Sequence, residues 1–380
     1  MKHRKLGGTG LEVGVIGLGA EHLEHAPRET VLSVVHEALD YGVNYIDLFM
    51  GSPDVRDNFG LALKGRVDDI IVAGHLGAVW LDNQYAKTRD RAICEDFFHD
   101  LLRRLGTDHL NLLMLHFVDA PDDCDGVLSP GGLLAQALRY KAQGKARAIG
   151  MSGHMVPAAR RIVESGQIDV LMFPVNPLFD RLPGEAILDD HWKDSPYAPL
   201  REEGRIVSER EELYHACVRQ GVSIVAMKAY AAGWLFQPEN AGGMALTPVQ
   251  CLHYALSQPG VSTAVPGCKT VEEMRAALAY LEAGGEEKDY AAITGSPLWR
   301  ERDSCMYCNH CLPCPAGIDI AAVTRLADSA IHGMTDAVMQ EYSALGAKAG
   351  DCLDCGQCSE RCPFGIDPAA NMRRAVEIFG

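Results

Sequence analysis

Two runs in the C-terminal part of this 380-residue chain space their cysteines like iron–sulfur ligands. The first run, CMYCNHCLPCP, covers residues 305–315, and the second, CLDCGQCSERCP, covers residues 352–363. Each run supplies three cysteines at steps of three and then one more that precedes a proline, which is the ligand pattern of [4Fe–4S] clusters. In two-cluster ferredoxins the cysteine before proline binds the other cluster, so the fourth ligands are exchanged.

The spacing therefore predicts two [4Fe–4S] clusters with exchanged fourth ligands. The first cluster is assigned Cys305, Cys308, Cys311 and Cys362, and the second is assigned Cys314, Cys352, Cys355 and Cys358. Zinc is the main alternative, but zinc sites usually use two cysteine pairs rather than four evenly spaced thiols. Disulfides are the other alternative, but eight cysteines at cluster spacing and five scattered singly fit a reducing compartment, where disulfides are rare.

A second group of polar side chains follows short apolar runs in the rest of the chain. These residues are Asp47, His75, His116, Ser152, Asn176 and Lys228. Each stands at the C-terminal end of a predicted strand, which is the position where a parallel barrel builds its active site. A carboxylate and two imidazoles could polarise a carbonyl group, or hold a metal ion with water as the nucleophile.

The elements that would position these residues alternate regularly. Strands are predicted at Val13–Leu18, Asn44–Leu48, Ile70–Ala73, Leu110–His116, Arg147–Met151, Val170–Phe173, Ser223–Met227 and Ser262–Val265. A helical pattern follows each of them, and eight such units predict a (β/α)8 TIM barrel in preference to a doubly wound sheet. We expect the barrel at 1–282, a linker at 283–303 and an iron–sulfur domain at 304–380.

Two further features concern the loops and the C-terminal domain. Long loops follow the third strand, at Leu76–Lys87, and the sixth, at Asn176–Val207; the latter carries Asp180, Arg181, His191 and Trp192, which suggests a polar substrate. Between the cysteine runs, apolar residues recur at steps of three and four with a break at Gly333, which predicts a mainly helical ferredoxin-like domain.

The composition limits the class of partner. A net charge of −16 argues against nucleic acid and anionic membranes as partners. No apolar run approaches the length of a membrane span, and no apolar segment follows the basic start of the chain, so no signal peptide is predicted. Cysteines grouped at cluster spacing are typical of a reducing compartment, so we expect a cytoplasmic protein.

With these motifs in hand, the chain resembles the aldo-keto reductase family, in particular its bacterial members with a C-terminal iron–sulfur tail. The resemblance rests on RKLGGTGLEVGVIGLG, NYIDL, LGTDHLNLLMLH, ARAIGMSGH and STAVPGCKTVEEM, and covers residues 1–281. It implies a barrel that transfers hydride to a small carbonyl substrate, using an aspartate, a tyrosine, a lysine and a histidine.

Two of those four residues match. Asp47 and His116 stand at the aspartate and histidine positions, but His75 holds the lysine position and Ser52 holds the tyrosine position. The usual proton donor is therefore absent. Tyr85, in the loop after the third strand, could replace it, or could simply pack within that loop.

The resemblance also implies NADP(H) contacts, and these match only in part. Ser152 is kept, whereas Gly153 replaces an asparagine and Met172 a glutamine that hold nicotinamide. The pyrophosphate loop is matched by Lys228 to Gly233, and the site of the adenosine 2′-phosphate by Gly267, Cys268, Lys269 and Thr270. Glu273 stands where the family has an arginine, and would repel phosphate. NADP(H) is thus a possible cofactor, and a flavin is not excluded.

Three functions remain open at this point. The first is an oxidoreductase acting on a small carbonyl or alcohol, with the clusters connecting it to a redox partner protein. The second is a lyase or isomerase that uses Asp47, His75 and His116, with clusters kept for structure. The third is an electron-transfer or docking subunit whose barrel has lost catalysis.

Overall fold

A computed structural model describes residues 1–184, 209–238, 243–296, 299, 304–331 and 333–380. Within these residues the fold contains twelve strands. In chain order they are β1 (His3–Lys5), β2 (Glu12–Gly14), β3 (Leu18–Gly19), β4 (Tyr45–Leu48), β5 (Ile71–Leu76), β6 (Ala78–Leu81), β7 (Gln84–Lys87), β8 (Leu110–Leu115), β9 (Ala146–Ser152), β10 (Val170–Pro174), β11 (Ser223–Met227) and β12 (Val261–Ala264).

Eight of these strands form one parallel sheet, in the order β12-β11-β10-β9-β8-β5-β4-β3. Parallel bridges from Ile16 to Ala264 and from Gly19 to Gly267 join the first strand to the last. The sheet is thereby closed into the TIM barrel that the eight repeats predict, and the C-terminal ends of its strands meet at one mouth.

The barrel strands are buried on both faces, which explains their nearly continuous apolar sequences. Side chains that point inward form a small core inside the barrel, including Tyr45, Leu112 and Val225. Those that point outward pack under the surrounding helices in the largest core of the molecule.

The described helices include at least one after each barrel strand, as the repeating pattern predicts. In chain order they are α1 (Arg28–Asp40), α2 (Pro53–Ala62), α3 (Arg91–Leu105), α4 (Pro121–Leu128), α5 (Leu133–Ala142), α6 (Val156–Glu164), α7 (Glu209–Gln220), α8 (Pro248–Ser257), α9 (Val271–Leu278), α10 (Gly285–Lys288), α11 (Ile320–Ile331), α12 (Asp336–Ala344), α13 (Gln357–Glu360) and α14 (Pro368–Phe379).

The first predicted strand, Val13–Leu18, is wrong in its extent. Residues up to Gly14 belong to β2, which pairs antiparallel with β1 in a separate hairpin, and only β3 and the bridge at Ile16 contribute to the barrel. Arg4 of β1 donates to the carbonyl oxygens of Leu256 and Val261 at 2.8 and 2.6 Å, which ties this hairpin to the barrel.

The two long loops have different outcomes. Leu76–Lys87 contains the antiparallel pair β6 and β7 rather than an irregular loop. Of Asn176–Val207, the structure describes residues 176–184, in which Asp180 is buried and accepts from the hydroxyls of Tyr214 and Tyr254 at 2.6 and 2.8 Å. His191 and Trp192 lie outside the described residues.

The C-terminal region is helical, as its apolar periodicity predicts. Helices α11, α12 and α14 enclose a separate core that includes Val323, Val338 and Met372. The break between α11 and α12 falls near Gly333, whose φ of 132° is unfavourable for other residues.

The iron–sulfur region and the barrel are in direct contact. Helices α11 and α12 pack against α7 of the barrel. The Tyr307 hydroxyl donates to Asp328 within the iron–sulfur region at 2.8 Å. Across the contact, the same hydroxyl lies 3.3 Å from Nε2 of His215, whose Nδ1 lies 2.8 Å from the Ser329 hydroxyl. Part of the predicted linker is also packed, in another core, because Tyr290 is fully buried and its hydroxyl donates to the Met306 carbonyl oxygen.

Candidate active site and cluster sites

A cavity of about 830 Å³ opens at the C-terminal mouth of the barrel. The ends of several strands supply its walls, because parallel strands direct their last residues to the same side. Asp47 comes from β4, His75 from β5 and Ser152 from β9, while His116 follows β8 directly. The structure thus brings together Asp47, His75 and His116, three of the four residues that the sequence singled out for catalysis, and Tyr85, the fourth, lines the same cavity.

Three of these polar groups and Tyr85 form a continuous hydrogen-bonded chain, which we call the relay. His75 Nε2 lies 2.9 Å from Asp47 Oδ1, and His75 Nδ1 lies 2.9 Å from His116 Nδ1. His116 Nε2 in turn lies 2.7 Å from the Tyr85 hydroxyl. Asp47, His75 and His116 are buried, whereas Tyr85 is 41% exposed and lines the cavity. The relay therefore connects a buried carboxylate to a phenol at the cavity wall.

The hydrogen bonds of the relay can run in two directions, which differ by one proton; we call these its two polarities. With Asp47 as a carboxylate and both imidazoles neutral, every hydrogen bond is donated toward Asp47. His75 Nε2–H donates to Asp47, His116 Nδ1–H donates to His75 Nδ1, and Tyr85 O–H donates to His116 Nε2. If one proton is added, His75 is an imidazolium, its Nδ1–H donates to His116, and His116 Nε2–H donates to Tyr85. The Tyr85 hydrogen is then free to point into the cavity.

His116 is the neutral link in this chain. Burial, and next the positive charge that His75 can carry, hold the pKa of His116 well below the ordinary value of 6.5. The Phe49 ring stacks on the imidazole with ring centroids 5.3 Å apart and an interplanar angle of 17°. This stacking fixes the ring so that its two nitrogens face His75 and Tyr85.

The β6–β7 hairpin carries Tyr85 to the cavity. Its turn residues Asp82 and Asn83 have φ values of 52° and 59°, the conformation of a tight two-residue hairpin turn. In the paired strands Tyr85 stands opposite Trp80. The hairpin lies so close to the loop after β4 that a Cβ at Gly51 would be 2.6 Å from the Val79 backbone. Gly51 therefore makes room for the hairpin.

Ser52, at the tyrosine position implied by the family resemblance, takes no part in the cavity lining. It is buried and immediately precedes α2. The phenol at the cavity thus comes from a different element, and the sequence signal for it is the Asp-Asn pair between AVWL and QYAK.

Most of the predicted cofactor residues also line the cavity. Ser152, Lys228, Gly233, Gly267 and Lys269 do so, whereas Thr270 does not. Thr270 instead caps α9 by accepting from the Glu273 backbone N–H. Lys228 has a pKa below the ordinary 10.5, because its ammonium group loses hydration in the cavity wall.

The start of α9 does not offer a free anion site. Glu273 Oε2 accepts from the backbone N–H of Lys269 at 2.6 Å. The Glu273 carboxylate thus already accepts from the backbone N–H that would donate to a phosphate, and its negative charge repels a second anion. The residues present do not fit the 2′-phosphate of NADP(H). Ser152 alone among the predicted nicotinamide contacts offers a hydroxyl, since Gly153 and Met172 offer no polar side chain.

The alternative of a metal ion held by Asp47, His75 and His116 does not match the geometry. The two Nδ1 atoms face each other at 2.9 Å, so their lone pairs do not converge on a common point. Within the described part of the chain, no three histidine, cysteine or acidic side chains are arranged around a single metal ion. Cubane ligands are a different case, because each thiolate binds its own iron atom.

The cysteines form two neighbouring groups in the C-terminal region. A pocket is lined by Cys314, Cys352, Cys355 and Cys358, which are the four ligands predicted for the second cluster, and also by Cys311. Burial raises the pKa of the Cys311 thiol to about 12, and the nearby thiols of Cys308, Cys358 and Cys362 contribute in the same direction. The exchange of fourth ligands between runs is therefore sterically reasonable, and thiols around an apolar pocket fit a cubane.

Iron content tests this assignment. We expect about eight iron atoms and eight sulfide ions per chain in anaerobically purified protein, because each cubane holds four of each. Cys308→Ser and Cys355→Ser should each lower the iron content, whereas the buried Cys94→Ser, far from both runs in sequence, should not. One zinc ion per cysteine group, with no sulfide, would contradict the assignment.

The buried histidines predict how stability depends on pH. The pKa values of His116 and His154 are lowered in the folded protein, chiefly by burial, from 6.5 in the unfolded chain. Below that pH the unfolded state binds more protons, so the free energy of unfolding falls as pH falls, by at most ~1.4 kcal/mol per pH unit for each histidine. Asp180 contributes with the opposite sign, since burial raises its pKa to about 6.

Urea unfolding at a series of pH values checks this dependence. His116→Asn should give a shallower slope than the wild type between pH 6.5 and 5, because one of the groups that resists protonation has been removed. The same slope in both proteins would show that His116 is protonated equally in the folded and unfolded states. Activity is not needed for this measurement.

No helix in the described parts of the chain is long and apolar enough to cross a membrane. Comparison with known proteins gives two family matches. Residues 13–188 match the aldo/keto reductase family, and residues 301–367 match a 4Fe-4S dicluster domain.

Individual relatives agree with the first match. An uncharacterized oxidoreductase, YqkF of Bacillus subtilis (strain 168), is 26% identical over 287 residues, covering 72% of this chain and 89% of that protein. An NADH-specific methylglyoxal reductase of Escherichia coli (strain K12) is 25% identical over 191 residues, or 45% of this chain and 58% of that protein.

The solved structures agree on the fold. The holo form of aldo-keto reductase AKR11C1 from Bacillus halodurans has a TM-score of 0.57 at 21% sequence identity, covering 78% of this chain and 97% of that one. The closed barrel, the polar residues at its mouth and the paired cysteine runs lead to the same conclusion. The chain thus combines a barrel, matched over residues 13–188 by the aldo/keto reductase family, with a C-terminal region that matches a 4Fe-4S dicluster domain.

Proposed function

We propose that the barrel interconverts a small carbonyl compound and its alcohol, with Tyr85 transferring the proton in place of the missing family tyrosine. The observation that carries this proposal is the 2.7 Å contact between Tyr85 and His116 at the wall of the cavity. Burial raises the pKa of the Tyr85 phenol above the ordinary 10.0, so the phenol carries the proton to be transferred at neutral pH.

The relay supplies the proton that Tyr85 gives away. In the protonated polarity, Tyr85 donates to the carbonyl oxygen, His116 Nε2–H reprotonates Tyr85, and His75 Nδ1–H reprotonates His116. The net change is the loss of one proton from His75, whose Nε2–H keeps its hydrogen bond to Asp47. In alcohol oxidation the same protons move in the opposite direction. Each atom that moves thus has a partner within hydrogen-bond distance.

The barrel itself contributes orientation and the proton, whereas a bound cofactor supplies electrons. A reduced nicotinamide would supply hydride, and [4Fe–4S] clusters supply single electrons. Since Glu273 opposes a 2′-phosphate, we propose that any nicotinamide used is NADH rather than NADPH. The relative named an NADH-specific methylglyoxal reductase is consistent with that preference.

The packing between the two parts favours a working connection between clusters and cavity. Tyr230 lines the cavity and packs against a core that also contains Tyr290 and Trp299 and borders Cys308. One predicted cluster ligand therefore shares a core with the cavity wall. Cys355 of the other group is exposed, so we propose that the second cluster exchanges electrons with a redox partner protein.

The cofactor preference can be tested by binding. Titration should show tighter binding of NADH than of NADPH, by ~10-fold or more, which corresponds to ~1.4 kcal/mol. Glu273→Gln should narrow the difference because it removes the charge that repels the 2′-phosphate. Glu272→Gln is the matched control, since Glu272 stands on the same helix but does not line the cavity. Tighter NADPH binding by the wild type would contradict the preference.

The reaction itself is tested anaerobically with a panel of small aldehydes and ketones. Each is offered with NADH, and separately with chemically reduced clusters, and alcohol formation is measured. We expect alcohol from at least one reductant, and expect it to depend on His116. Conversion of substrate with no external reductant would overturn the redox proposal in favour of lyase or isomerase chemistry.

A further inference from the structure

A second buried acid–base pair faces the same cavity, next to the relay. His154 Nδ1 lies 2.9 Å from Asp119 Oδ2, and both side chains are buried. Asp119 Oδ1 also accepts from the backbone N–H groups of His154 and Met155, at 2.5 and 3.4 Å. The sequence reasoning did not single out this pair.

The backbone around His154 is held from several sides. Arg210 donates to the His154 carbonyl oxygen at 3.2 Å, and the Phe117 ring packs on the imidazole with centroids 4.8 Å apart. Gly153 allows the close approach of Asp119, because a Cβ there would lie 2.8 Å from the Val118 carbonyl oxygen and 3.0 Å from Asp119 Oδ1. A side chain at position 153 would therefore collide with Asp119 and the neighbouring backbone.

Asp119 determines which nitrogen of His154 carries the hydrogen. Its carboxylate oxygens only accept, so Nδ1–H donates to Oδ2 and Nε2 of the neutral ring has a free lone pair. The pKa of His154 is lowered, chiefly by burial and despite Asp119, which keeps the ring neutral. His154 lines the cavity, and its Nε2 has no hydrogen-bond partner among the residues that the structure describes.

His154 lines the same cavity as Tyr85, the proposed proton donor. The Phe117 ring lies near both imidazoles, with its centroid 6.1 Å from that of His116 and 4.8 Å from that of His154. A ligand with its carbonyl oxygen at Tyr85 therefore shares its cavity with His154. A hydrogen-bond acceptor at this place strengthens the binding of a ligand that carries a donor. It weakens the binding of a ligand without one, because the acceptor is then buried and unpaired.

We propose that His154, positioned by Asp119, selects hydroxyaldehydes and hydroxyketones by accepting a hydrogen bond from their hydroxyl group. The inference rests on the proposed carbonyl chemistry at Tyr85 and names the substrate class of that site. Lys228, whose charge acts on both His154 and Asp119, favours the same neutral state of the imidazole.

Turnover of a matched pair of ketones tests the selection. Hydroxyacetone can donate a hydrogen bond from its hydroxyl group, whereas methoxyacetone can only accept one. For the wild-type holoprotein we expect kcat/KM to be at least ~10-fold higher for hydroxyacetone, the equivalent of ~1.4 kcal/mol for one hydrogen bond and the unpaired acceptor. Equal values for the two ketones would overturn the inference.

Asp119→Asn should change His154 Nε2 from an acceptor to a donor while keeping the imidazole ring in place. The asparagine oxygen still accepts the two backbone N–H groups, but its amide donates to Nδ1, so Nε2 becomes a donor. The preference for hydroxyacetone should fall toward 1 or invert, and His154→Phe should also reduce it. Size differences between the ketones cancel in this comparison of ratios. An unchanged ratio in both variants, with normal iron content, would overturn the inference.

A binding measurement separates this inference from the proposed function. In protein labelled with ¹⁵N-histidine, hydroxyacetone should shift the His154 Nε2 resonance and methoxyacetone should not, whether or not either is turned over. A hydroxyl-specific shift without turnover of any carbonyl compound would refute the proposed function and support the His154 inference. Turnover of carbonyl compounds without that shift would do the reverse.

Discussion

Replacing Tyr85 by phenylalanine is expected to lower kcat for carbonyl reduction by about 10²- to 10⁴-fold, the range for loss of a positioned acid. The phenol is the only relay group with substantial exposure, and it stands 2.7 Å from His116 at the cavity wall. Phenylalanine keeps the ring contact with Phe49, whose centroid lies 6.0 Å from that of Tyr85, and removes only the hydroxyl. The substitution therefore isolates proton transfer from packing.

Anaerobic steady-state kinetics measure this effect. Tyr41→Phe is the matched control, because Tyr41 is also a half-exposed tyrosine but lies at the end of α1, away from the cavity. The control should retain wild-type kcat. A Tyr85→Phe protein with kcat within a factor of two of the wild type would show that another group gives the proton.

Replacing Asp47 by asparagine is expected to lower kcat by a similar factor of about 10²–10⁴ in both reaction directions. Asparagine has no negative charge to face a protonated His75, so it does not support the imidazolium whose Nδ1–H passes a proton to His116. Tyr85 can still face the substrate, but no cation behind it can replace the proton that it gives.

The comparison with Asp119→Asn makes this test specific. Both substitutions change a buried carboxylate to an amide beside a histidine that lines the cavity. Asp47→Asn should lower kcat for every substrate, whereas Asp119→Asn should change mainly the preference between substrates. If Asp47→Asn altered only substrate preference, His75 and Asp47 would be positioning residues without a role in proton supply.

The sequence predicted most of the architecture and named all four relay groups, although loop packing stayed open as the alternative role of Tyr85. Parallel strands that are buried on both faces read as continuous apolar runs, so the eight barrel strands and the polar residues after them were recognisable. Asp47, His75 and His116 stand at fixed places relative to those strands, and their meeting at one mouth follows from barrel geometry. The cysteine spacing was informative for the same reason, since it reports local ligand geometry.

Tyr85 and Glu273 were harder to place because their positions depend on nonlocal packing. Tyr85 reaches His116 only because an Asp-Asn turn folds β6 and β7 into a hairpin and Gly51 allows it to approach. Glu273 was expected to repel phosphate, but its hydrogen bond to the Lys269 backbone depends on the side-chain conformation at the start of α9. Asp119 and His154 are 35 residues apart, and nothing in their spacing predicts a pair.

The identity of the acid is tested most directly by changing its acidity in place. Tyr85 would be replaced by 3-fluorotyrosine, which keeps the hydroxyl but makes the phenol more acidic, and kcat for carbonyl reduction would be followed against pH. We expect the alkaline loss of activity to move to lower pH in the fluorinated protein. An alkaline limb at the same pH as in the wild type would contradict the role of Tyr85 as proton donor.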